Sequence, residues 1–543
     1  MKRIALLILL LFACPAVSQA HFLWLLTNKD SGKVQVFFGE SAEPDDPDLL
    51  EKVANAEVWS VEGRGGPKLI AIKKVGDALE GDLAPSGTVI LRHTFGVTGR
   101  GGENFLLKYY AKTYSDALPG NWRAVKDKER LPFEVTPEAD GAATILRVTF
   151  NGQPQAKSLV TIVGPGIAKK IEGETDEKGL FRCELPQSGI YSIRAKHIEV
   201  AAGKHEDKEY KQIRHYSTLT LHHGLSRITP VVRSLPSIPK VPTSFGGAVV
   251  GDTLFAYGGN YGTAHEYFEQ DQSGDLWTLD MAKPGEWRQS VGGPKLQGLA
   301  MVEHKGLLYR VGGFTAKNKS GEKQDLHSQN EFARFDPKTG KAWEPLPSLP
   351  EGRSSHDAAV IGDTLYVVGG WNMQGAGKDL KWHDTALKFD LAEGGKGSWK
   401  AIAAPPFKRR ALALAAWQGK LYCIGGMGEK GTQTTEVAIY DPAQDSWTSG
   451  PSILGGAMDG FGSSAFASGN ALYVTTISGS IQRLSADGKK WEFQGQLVHP
   501  RFFHRLLPWG DSKLVVLGGA SMTEGKQESV EVLPLGEPTT ARK

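Results

Sequence analysis

Histidine and arginine are the residue types through which this chain could do chemistry, because imidazole nitrogens bind transition metals and guanidinium groups bind anions. His21 follows Ser18-Gln19-Ala20, which has the small-residue pattern that a signal peptidase cleaves. Cleavage after Ala20 would leave His21 with a free α-amino group, whose unperturbed pKa is about 8. The amine and the imidazole of this one residue could then chelate a single metal ion.

A metal ion at His21 needs further ligands, and a second histidine is the simplest source of one. We expect His93, in the segment LRHTFGV, to complete the site. Nitrogen ligands of this kind suit copper and nickel. The alternative is that His21 is a frayed chain end and that His93 is a hydrogen-bonded strand residue.

Three arginines in the second half of the chain share one spacing. Arg353, Arg410 and Arg501 each stand ten residues before the second residue of a predicted turn, and His356 and His504 each follow their arginine by three. Equal spacing predicts equivalent positions, so these side chains would form a basic ring that suits an anionic or carboxylate ligand. The alternative is that Arg-x-x-His belongs to a structural repeat and holds loops by hydrogen bonds.

The arginines and histidines of the second half lie in a unit that the chain repeats six times. Each unit has an apolar run, a glycine-containing turn and a second apolar run, which is the pattern of a β-hairpin. The units read VVGDTLFAYGG, VEHKGLLYRVGG, VIGDTLYVVGG, AWQGKLYCIGG, FASGNALYVTTI and LPWGDSKLVVLGG. Five second runs end in a glycine pair, which predicts close backbone approach or unusual dihedral angles. In the fifth unit Thr476-Ile477 replaces the pair, so we expect an irregular edge there.

A third and a fourth strand follow each hairpin, and the fourth strand carries a tryptophan. The five tryptophans are Trp287, Trp343, Trp399, Trp447 and Trp491. Four strands make one blade of a β-propeller, and a large ring at a fixed place fills the wedge between neighbouring blades. The sequence therefore predicts an all-β fold, with a six-bladed propeller at residues 230–535 and the basic ring near one mouth of its channel.

The sixth unit has no fourth strand of its own after Leu535. Residues 230–239 are similar to Trp343–Pro350 of the second unit. We expect residues 230–239 to form the outer strand of the last blade, which would close the ring and remove a free sheet edge. Residues 536–543 would then be a tail.

The unit LPSLPEGRSSHDAAVIGDTLYVVGGW, which ends at Trp371, resembles the Kelch repeat. The resemblance covers residues 230–535 and implies a Kelch-type propeller that binds a protein or glycan partner at its face. A few Kelch-type propellers are enzymes, including a copper oxidase and a periplasmic sialic acid mutarotase. The copper oxidase needs a cysteine–tyrosine crosslink. Cys423 lies in the middle of a predicted strand, where a small buried side chain is expected.

Residues 21–223 have a different sequence pattern, with alternating apolar runs that predict strands. We divide them into a β-rich module at 21–142, which would hold the metal site, and a small β-sandwich at 143–223. This sandwich would be of the Ig-like or carboxypeptidase-regulatory-like kind. Its segment Asp176-Glu177-Lys178-Gly179 has residue types that favour a turn between two strands.

The segments AHFLWL, LRHTFGV, FLLKYYAKTY, TDEKGLF and IRHYSTLTL together resemble an uncharacterised periplasmic family linked to nickel and cobalt uptake. The match covers about residues 21–222. A histidine at or near the mature start is common in that family, and metal binding is the usual inference. The resemblance thus implies nickel, cobalt or copper at His21 and, less securely, at His93.

Residues 1–20 have the features of a signal peptide. Lys2 and Arg3 precede the apolar run Ile4–Phe12, which is too short to span a bilayer. We therefore expect an exported protein, periplasmic or extracellular, with a lipoprotein anchored at Cys14 as the alternative. The net charge of +3 on 543 residues does not favour a nucleic acid partner, and no later stretch predicts a transmembrane segment.

The sequence predicts an exported, non-enzymatic binding protein. Its N-terminal module would bind a transition metal, and its propeller would bind a protein or a glycan. Two alternatives stay open: a periplasmic propeller enzyme such as a sialic-acid-mutarotase-like isomerase, and a structural interaction protein without metal.

Overall fold

A computed structural model of the chain shows the all-β fold that the sequence predicts. It describes residues 21–28, 31–61, 66–82, 88–100, 103–114, 122–140, 143–224, 228–263 and 266–535. The predicted signal peptide, Cys14 and the tail at 536–543 lie outside these ranges. Within them, no helix has the length and apolarity that crossing a membrane would require.

The N-terminal part is built on one eight-stranded sheet. Its strands lie in the order Ile171–Glu174, Leu159–Val163, Gly189–Glu199, Gln212–His223, Glu103–Tyr114, Thr88–Arg100, Glu57–Val61 and Lys68–Ile70. The pair at its centre is parallel, with Gln212–His223 beside Glu103–Tyr114. The sheet therefore joins strands from both predicted units, 21–142 and 143–223.

Two smaller sheets cover the faces of the large one. The first consists of Phe22–Asn28, Lys33–Gly39, Ala78–Asp82 and Lys73–Val75; the second consists of Gln153–Pro154, Ala143–Phe150, Leu180–Cys183 and Phe133–Asp140. Side chains alternate along a strand, so the neighbours Ile90 and Leu91 enter opposite cores. A 3-10 helix at Pro47–Val53 and a hairpin of Gly203–His205 with Lys208–Tyr210 complete this part.

The C-terminal part has six antiparallel blades, numbered here in chain order. Blade 1 comprises Gly246–Val250, Thr253–Tyr257, Leu276–Asp280 and Arg288–Ser290, and blade 2 Ala300–His304, Leu307–Val311, Phe332–Phe335 and Glu344–Leu346. Blade 3 comprises Asp357–Ile361, Thr364–Val368, Ala386–Asp390 and Lys400–Ile402, and blade 4 Ala413–Trp417, Lys420–Ile424, Val437–Asp441 and Ser446–Gly450. Blade 5 comprises Ser464–Ser468, Ala471–Thr475, Ser480–Leu484 and Trp491–Gln496, and blade 6 Arg505–Trp509, Lys513–Leu517 and Glu531–Pro534.

Shorter elements lie at one end of the propeller, and all except Arg409–Arg410, which precedes the first strand of blade 4, connect the second and third strands of a blade. They are the pairs Phe314–Ala316 with Leu326–Ser328, Trp371–Asn372 with Lys381–Trp382, Arg409–Arg410 with Met427–Gly428, and Ala520–Ser521 with Gly525–Lys526, and the 3-10 helix Glu269–Asp271. A 3-10 helix at Ala457–Gly460 leads into blade 5. Phe314, Leu326, Trp371, Arg410 and Met427 of these elements line the cavity described below.

A closed ring of backbone hydrogen bonds joins the six blades around the channel. One residue shortly before each inner strand has a positive φ of 52° to 62°: Ser244, Gly298, Ser355, Ala411, Gly462 and Phe503. Each of these N–H groups donates to the carbonyl of the preceding member, over 2.6 to 3.3 Å, and Ser244 N–H donates to Phe503 O. We call these six residues the backbone ring. Its closure shows that the propeller has six blades and no gap.

The glycine pairs fasten each blade to the next, as their repetition predicts. In blade 2, Gly312 and Gly313 have φ of +60° and +103°. A Cβ on Gly312 would lie 2.3 Å from the carbonyl oxygen of Arg353, and Gly313 N–H donates to that same oxygen over 2.8 Å. Blade 5 lacks the pair, and there the register of the third and fourth strands shifts between Ile481 and Gln482.

Four of the predicted tryptophans bridge neighbouring blades through their indole nitrogens. Trp399, Trp447 and Trp491 donate to carbonyls beyond the outer strand of the preceding blade, over 2.8 to 2.9 Å. Trp287 of blade 1 donates in the same way to Pro236 O over 3.0 Å. Residue 236 therefore stands at the outer edge of blade 6.

The segment at 230–239 also pairs directly with blade 6. Val231 N–H donates to Val532 O over 2.7 Å, and Val532 N–H donates to Val231 O over 2.9 Å. Leu235 and Ile238 are buried against residues of blades 1 and 6. The two ends of the propeller segment therefore meet in one blade.

Candidate functional site: a cup at one mouth of the propeller

Arg353 and Arg501 point into the blades and not into the channel. Arg353 donates to Gly369 O over 2.8 Å and to the backbone and side-chain oxygens of Thr385 over 3.0 and 2.7 Å. Arg501 donates to Gly518 O and reaches the Glu531 carboxylate at 2.7 Å. These bonds hold strand ends together, which is the structural alternative that the sequence left open.

His356 and His504 also pack inside the propeller wall. His504 Nε2 lies 2.7 Å from Thr475 Oγ1 of the preceding blade. Burial lowers the pKa of His504 to about 3 and holds the pKa of His356 well below its usual range. Both imidazoles are therefore neutral at neutral pH, and both border the cavity described below.

The predicted equivalence of Arg410 with the other two arginines is wrong by one residue. Trp417 pairs with Lys420, so the turn of blade 4 is Gln418-Gly419 and Lys420 already belongs to the second strand. Counting ten residues back from Lys420 therefore gives Arg410, whereas counting back from Gly419, the second residue of the turn, gives Arg409. The true equivalent is Arg409, which stands two residues before the ring residue Ala411.

Arg409 takes the structural role in blade 4. It donates to the backbone carbonyl of Glu436 and forms an ion pair with the Glu436 carboxylate. Arg410 makes none of these bonds and lies at the mouth of the channel. Its guanidinium carbon lies 4.1 Å from the centre of the Trp371 ring, and its Nη2 lies 3.3 Å from Met427 Sδ.

The charge of Arg410 has no carboxylate within ion-pairing distance among the described residues. Its Nε is buried and makes no hydrogen bond. Burial lowers the pKa of this guanidinium, which nevertheless stays cationic because an arginine titrates so far above neutral pH. The side chain is thus a partly desolvated cation held against an aromatic ring.

The space in front of Arg410 is a cavity of about 600 Å³, which we call the cup. Its floor is the backbone ring, and its walls carry aromatic and methionine side chains. These wall residues include Tyr267, Phe314, Trp371, Met373 and Met427. Arg410 and Lys378 supply positive charge, and none of the described lining residues is acidic.

An ion pair across the channel closes the bottom of the cup. Arg505 Nη1 lies 3.0 Å from Asp357 Oδ1, and Arg505 also donates to Phe245 O and Leu299 O over 3.0 and 3.1 Å. A second cavity of about 210 Å³ lies on the far side of this pair. The ion pair therefore lies between the cup and the second cavity.

Sequence reasoning missed this pair, although a signal for it existed. Asp357 and Arg505 are each the first residue of an inner strand, in blades 3 and 6. In a closed ring of six, blades 3 and 6 face each other. Opposite charges at the same position of facing blades predict a contact, but only once the blade count and register are known.

The two predicted metal ligands, His21 and His93, each contact a ring of the aromatic pair Phe38 and Phe95. His21 Nε2 lies 3.5 Å from Asp45 Oδ2, and its ring contacts Phe38. His93 is buried against Phe95, and its Nε2 has no hydrogen bond. Burial lowers the pKa of His93. Among the described residues, no group of three or more His, Cys, Asp or Glu side chains has an arrangement that could hold a metal ion.

Cys423 is a packing residue of blade 4, as its place in a strand predicts. It is fully buried in the second strand of the blade. Burial raises the pKa of its thiol to about 12. It therefore does not reach the cup.

The blade topology agrees with comparisons of the sequence. Residues 297–479 match a family model described as "KLHDC2/KLHL20/DRC7 Kelch-repeats domain". This range runs from blade 2 into blade 5. The C-terminal part is a six-bladed propeller, and its residues 297–479 are similar to Kelch repeats.

Three relatives illustrate the likeness. Kelch-like protein 35 of Mus musculus is 26% identical over 227 residues, which is 42% of this chain and 33% of the relative. Kelch-like protein 23 of Homo sapiens is 24% identical over 313 residues, which is 53% of this chain and 50% of the relative. Beta-scruin of Limulus polyphemus is 24% identical over 218 residues, 39% of this chain and 22% of the relative.

This chain thus spans half or less of the length of these curated relatives. A solved structure titled "Structure of YjhT" covers 56% of this chain and 98% of its own, with 19% identity and a TM-score of 0.45.

Proposed function

We propose that this chain is a binding protein whose cup holds an acidic group of a partner against Arg410. The observation that carries the proposal is the state of that guanidinium. It stacks on Trp371 and has no carboxylate partner among the described residues, whereas Arg353, Arg409 and Arg501 are held by bonds within the blades.

Stacking makes Arg410 a prepared anion site. A guanidinium held over an indole loses little freedom when it binds a carboxylate, and its hydrogen bonds to an anion are charge-assisted. The N–H and C=O groups that form the backbone ring are already bonded to one another, so they compete little for the ligand. Aromatic and methionine walls favour an apolar body beside the acidic group.

Calorimetric titration with N-acetyl-L-phenylalanine tests the proposal, because this probe joins one carboxylate to one aromatic ring. We expect wild-type protein to bind it and Arg410→Gln to bind roughly 10- to 100-fold more weakly, the loss of about 1.5–3 kcal/mol for a hydrogen bond to a charged group. Arg334→Gln is the control, since Arg334 is paired with Glu344 on the propeller surface. Equal affinity of Arg410→Gln and wild type, or no binding by either, would contradict the proposal.

A mutarotase-like isomerase is the enzymatic alternative. The described lining of the cup offers no carboxylate as a general base, and His356 and His504 are buried with pKa values far below neutrality. We therefore favour binding over catalysis.

We also propose that the protein is exported and that its N-terminal module binds nickel, cobalt or copper at His21. One contact favours this site: the imidazole of His21, only partly exposed, faces the Asp45 carboxylate. With the α-amino group that cleavage after Ala20 would release, Nδ1 of His21 offers a second nitrogen to one ion, while the Asp45 carboxylate at Nε2 orients the ring. His93 stays a further candidate through its uncommitted Nε2.

Metal analysis of the mature protein after incubation with Ni²⁺ tests this second proposal. We expect one ion per chain, lost in His21→Ala and weakened in Asp45→Asn. His205→Ala, in a surface hairpin, is the control. No bound nickel, or binding unchanged by His21→Ala, would contradict it, and N-terminal sequencing would show whether the chain starts at His21 or is blocked at Cys14.

A further inference from the structure

One methionine of the cup stands directly opposite Arg410. The two-residue strands Arg409–Arg410 and Met427–Gly428 pair in an antiparallel ladder, in which Arg410 is the partner of Met427. This register places Sδ of Met427 3.3 Å from Nη2 of Arg410. Both side chains line the cup. The backbone pairing therefore makes the thioether a fixed neighbour of the guanidinium.

The thioether leaves this guanidinium available to a ligand. A thioether sulfur is only a weak hydrogen-bond acceptor. Among the described residues it is the one acceptor of Arg410, and Nε of the same guanidinium is buried without any. Arg410 can thus bind an anion as long as the atom opposite Nη2 stays a weak acceptor.

Met427 is also accessible to a small oxidant. It is partly exposed at the cup, whereas the wall residue Met373 is buried. The cysteines Cys183 and Cys423 are buried, and burial raises the pKa of their thiols to about 11 and about 12. Because the thiolate is the reactive form, these cysteines do not compete for a peroxide. The Met427 sulfur is therefore the oxidisable atom nearest to the anion site.

We infer that Met427 is an oxidation site and that its sulfoxide blocks anion binding at Arg410. A peroxide transfers one oxygen to the sulfur: its O–O bond breaks, the sulfur loses two electrons, and the peroxide leaves as water or an alcohol. The new S=O oxygen is a strong acceptor on an unbranched, flexible side chain, so it can accept an N–H of Arg410. The inference rests on the proposed function and adds to it the regulation of the same site by an oxidant.

Oxidation should weaken an acidic ligand in two ways. The sulfoxide competes with the carboxylate for Nη2 of Arg410, and a polar group replaces an apolar one beside the apolar body of the ligand. The charge of Arg410 stays, so the loss should be smaller than in Arg410→Gln. Enzymatic reduction of the sulfoxide restores the thioether, so the loss should be reversible.

Titration with N-acetyl-L-phenylalanine before and after treatment with hydrogen peroxide tests the inference, with the oxidised methionines identified by peptide mass spectrometry. We expect sulfoxide at Met427 and an affinity lowered roughly 5- to 10-fold. Methionine sulfoxide reductases of both stereospecificities should restore the affinity, because each enzyme reduces one epimer.

The variant Met427→Gln places an amide oxygen where the sulfoxide oxygen would lie. It should bind the probe more weakly than reduced wild type without any oxidant, and peroxide should not change its affinity further. Affinity of Met427→Gln equal to that of reduced wild type would contradict the competition for Arg410.

Two leucine variants identify the methionine that carries the effect, each compared with itself before and after peroxide. Met522 is 61% exposed and is not among the residues that line the cup, so Met522→Leu should lose affinity on oxidation as wild type does. Met427→Leu should show the same affinity before and after oxidation.

The outcomes separate this inference from the proposed function. A Met427 that stays unoxidised, or an oxidised Met427 with unchanged affinity for the probe, would overturn the inference and leave the proposed function standing. A loss of affinity that persists in Met427→Leu would also overturn it, because another residue would then carry the effect. Failure of reduced wild type to bind the probe would overturn both.

Discussion

An arginine near the inner strand of a propeller either fastens the blade or faces the channel, and one residue of register decides which. Arg353, Arg409 and Arg501 stand two residues before their ring residue and donate to oxygens within their blades. Arg410 stands one residue before Ala411 and faces the cup. The sequence shows the arginines, but the one-residue difference depends on the turn of blade 4, which glycine position alone does not define.

The buried histidines predict a pH-dependent stability of the propeller. The pKa of His504 is about 3 in the folded protein and about 6.5 when unfolded, so the unfolded chain binds the extra proton as pH falls below about 6.5. Stability should fall by about 1.4 kcal/mol per pH unit for this histidine, and His356 acts in the same direction. Chemical unfolding at pH 7, 6 and 5 measures the loss.

The variant His504→Gln isolates this effect. Glutamine keeps a polar atom towards Thr475 but does not titrate, so the variant should lose less stability than wild type between pH 7 and 5. Surface carboxylates such as Asp325 and Asp441 also have lowered pKa values. Their contribution to the stability of the protein falls only below about pH 4, outside the range compared. Identical pH slopes for variant and wild type would show that the histidine is solvated.

At the scale of elements, the glycine pairs determine how closely neighbouring blades approach. Gly312→Ala puts a methyl group 2.3 Å from the Arg353 carbonyl oxygen at a φ of +60°. Gly306→Ala, in the turn of the same blade, has an equally left-handed φ of +80° but meets no atom within 4 Å. We expect a cost of several kcal/mol for the first and about 1 kcal/mol for the second.

Urea unfolding of both variants measures the difference. Equal losses would mean that backbone strain alone, and not the approach of the next blade, accounts for the glycine requirement. A larger loss for Gly312→Ala, with an unchanged fold by circular dichroism, supports the contact seen here.

Local patterns predict some of these elements and not others. The hairpins and the tryptophan bridges follow from alternation, turn residues and one large ring per unit, all of which lie close together in the chain. The parallel pairing of Gln212–His223 with Glu103–Tyr114 joins strands about a hundred residues apart. No turn fixes that register, so the eight-stranded sheet could not be predicted from local signals.

At the scale of the whole molecule, closure creates the site. Arg505 and Asp357 are 148 residues apart, and they meet because the ring places their blades face to face. The layered part joins this ring directly: Ile228, which is buried, donates its N–H to Gln494 O over 2.7 Å between blades 5 and 6. The repeat predicts the closure, but the depth of the cup depends on side chains that only closure brings together.

Hydrogen exchange of the backbone-ring amides tests this closed propeller most directly. The N–H of Ser244 donates to Phe503 O across the junction between the last and first blades, just as the N–H of Ala411 donates to Ser355 O within the chain of blades. We predict that the Ser244 amide exchanges as slowly as the Ala411 amide, through global unfolding of the propeller. A Ser244 amide that exchanges like an open chain, beside a protected Ala411, would contradict the closed ring and the cup built on it.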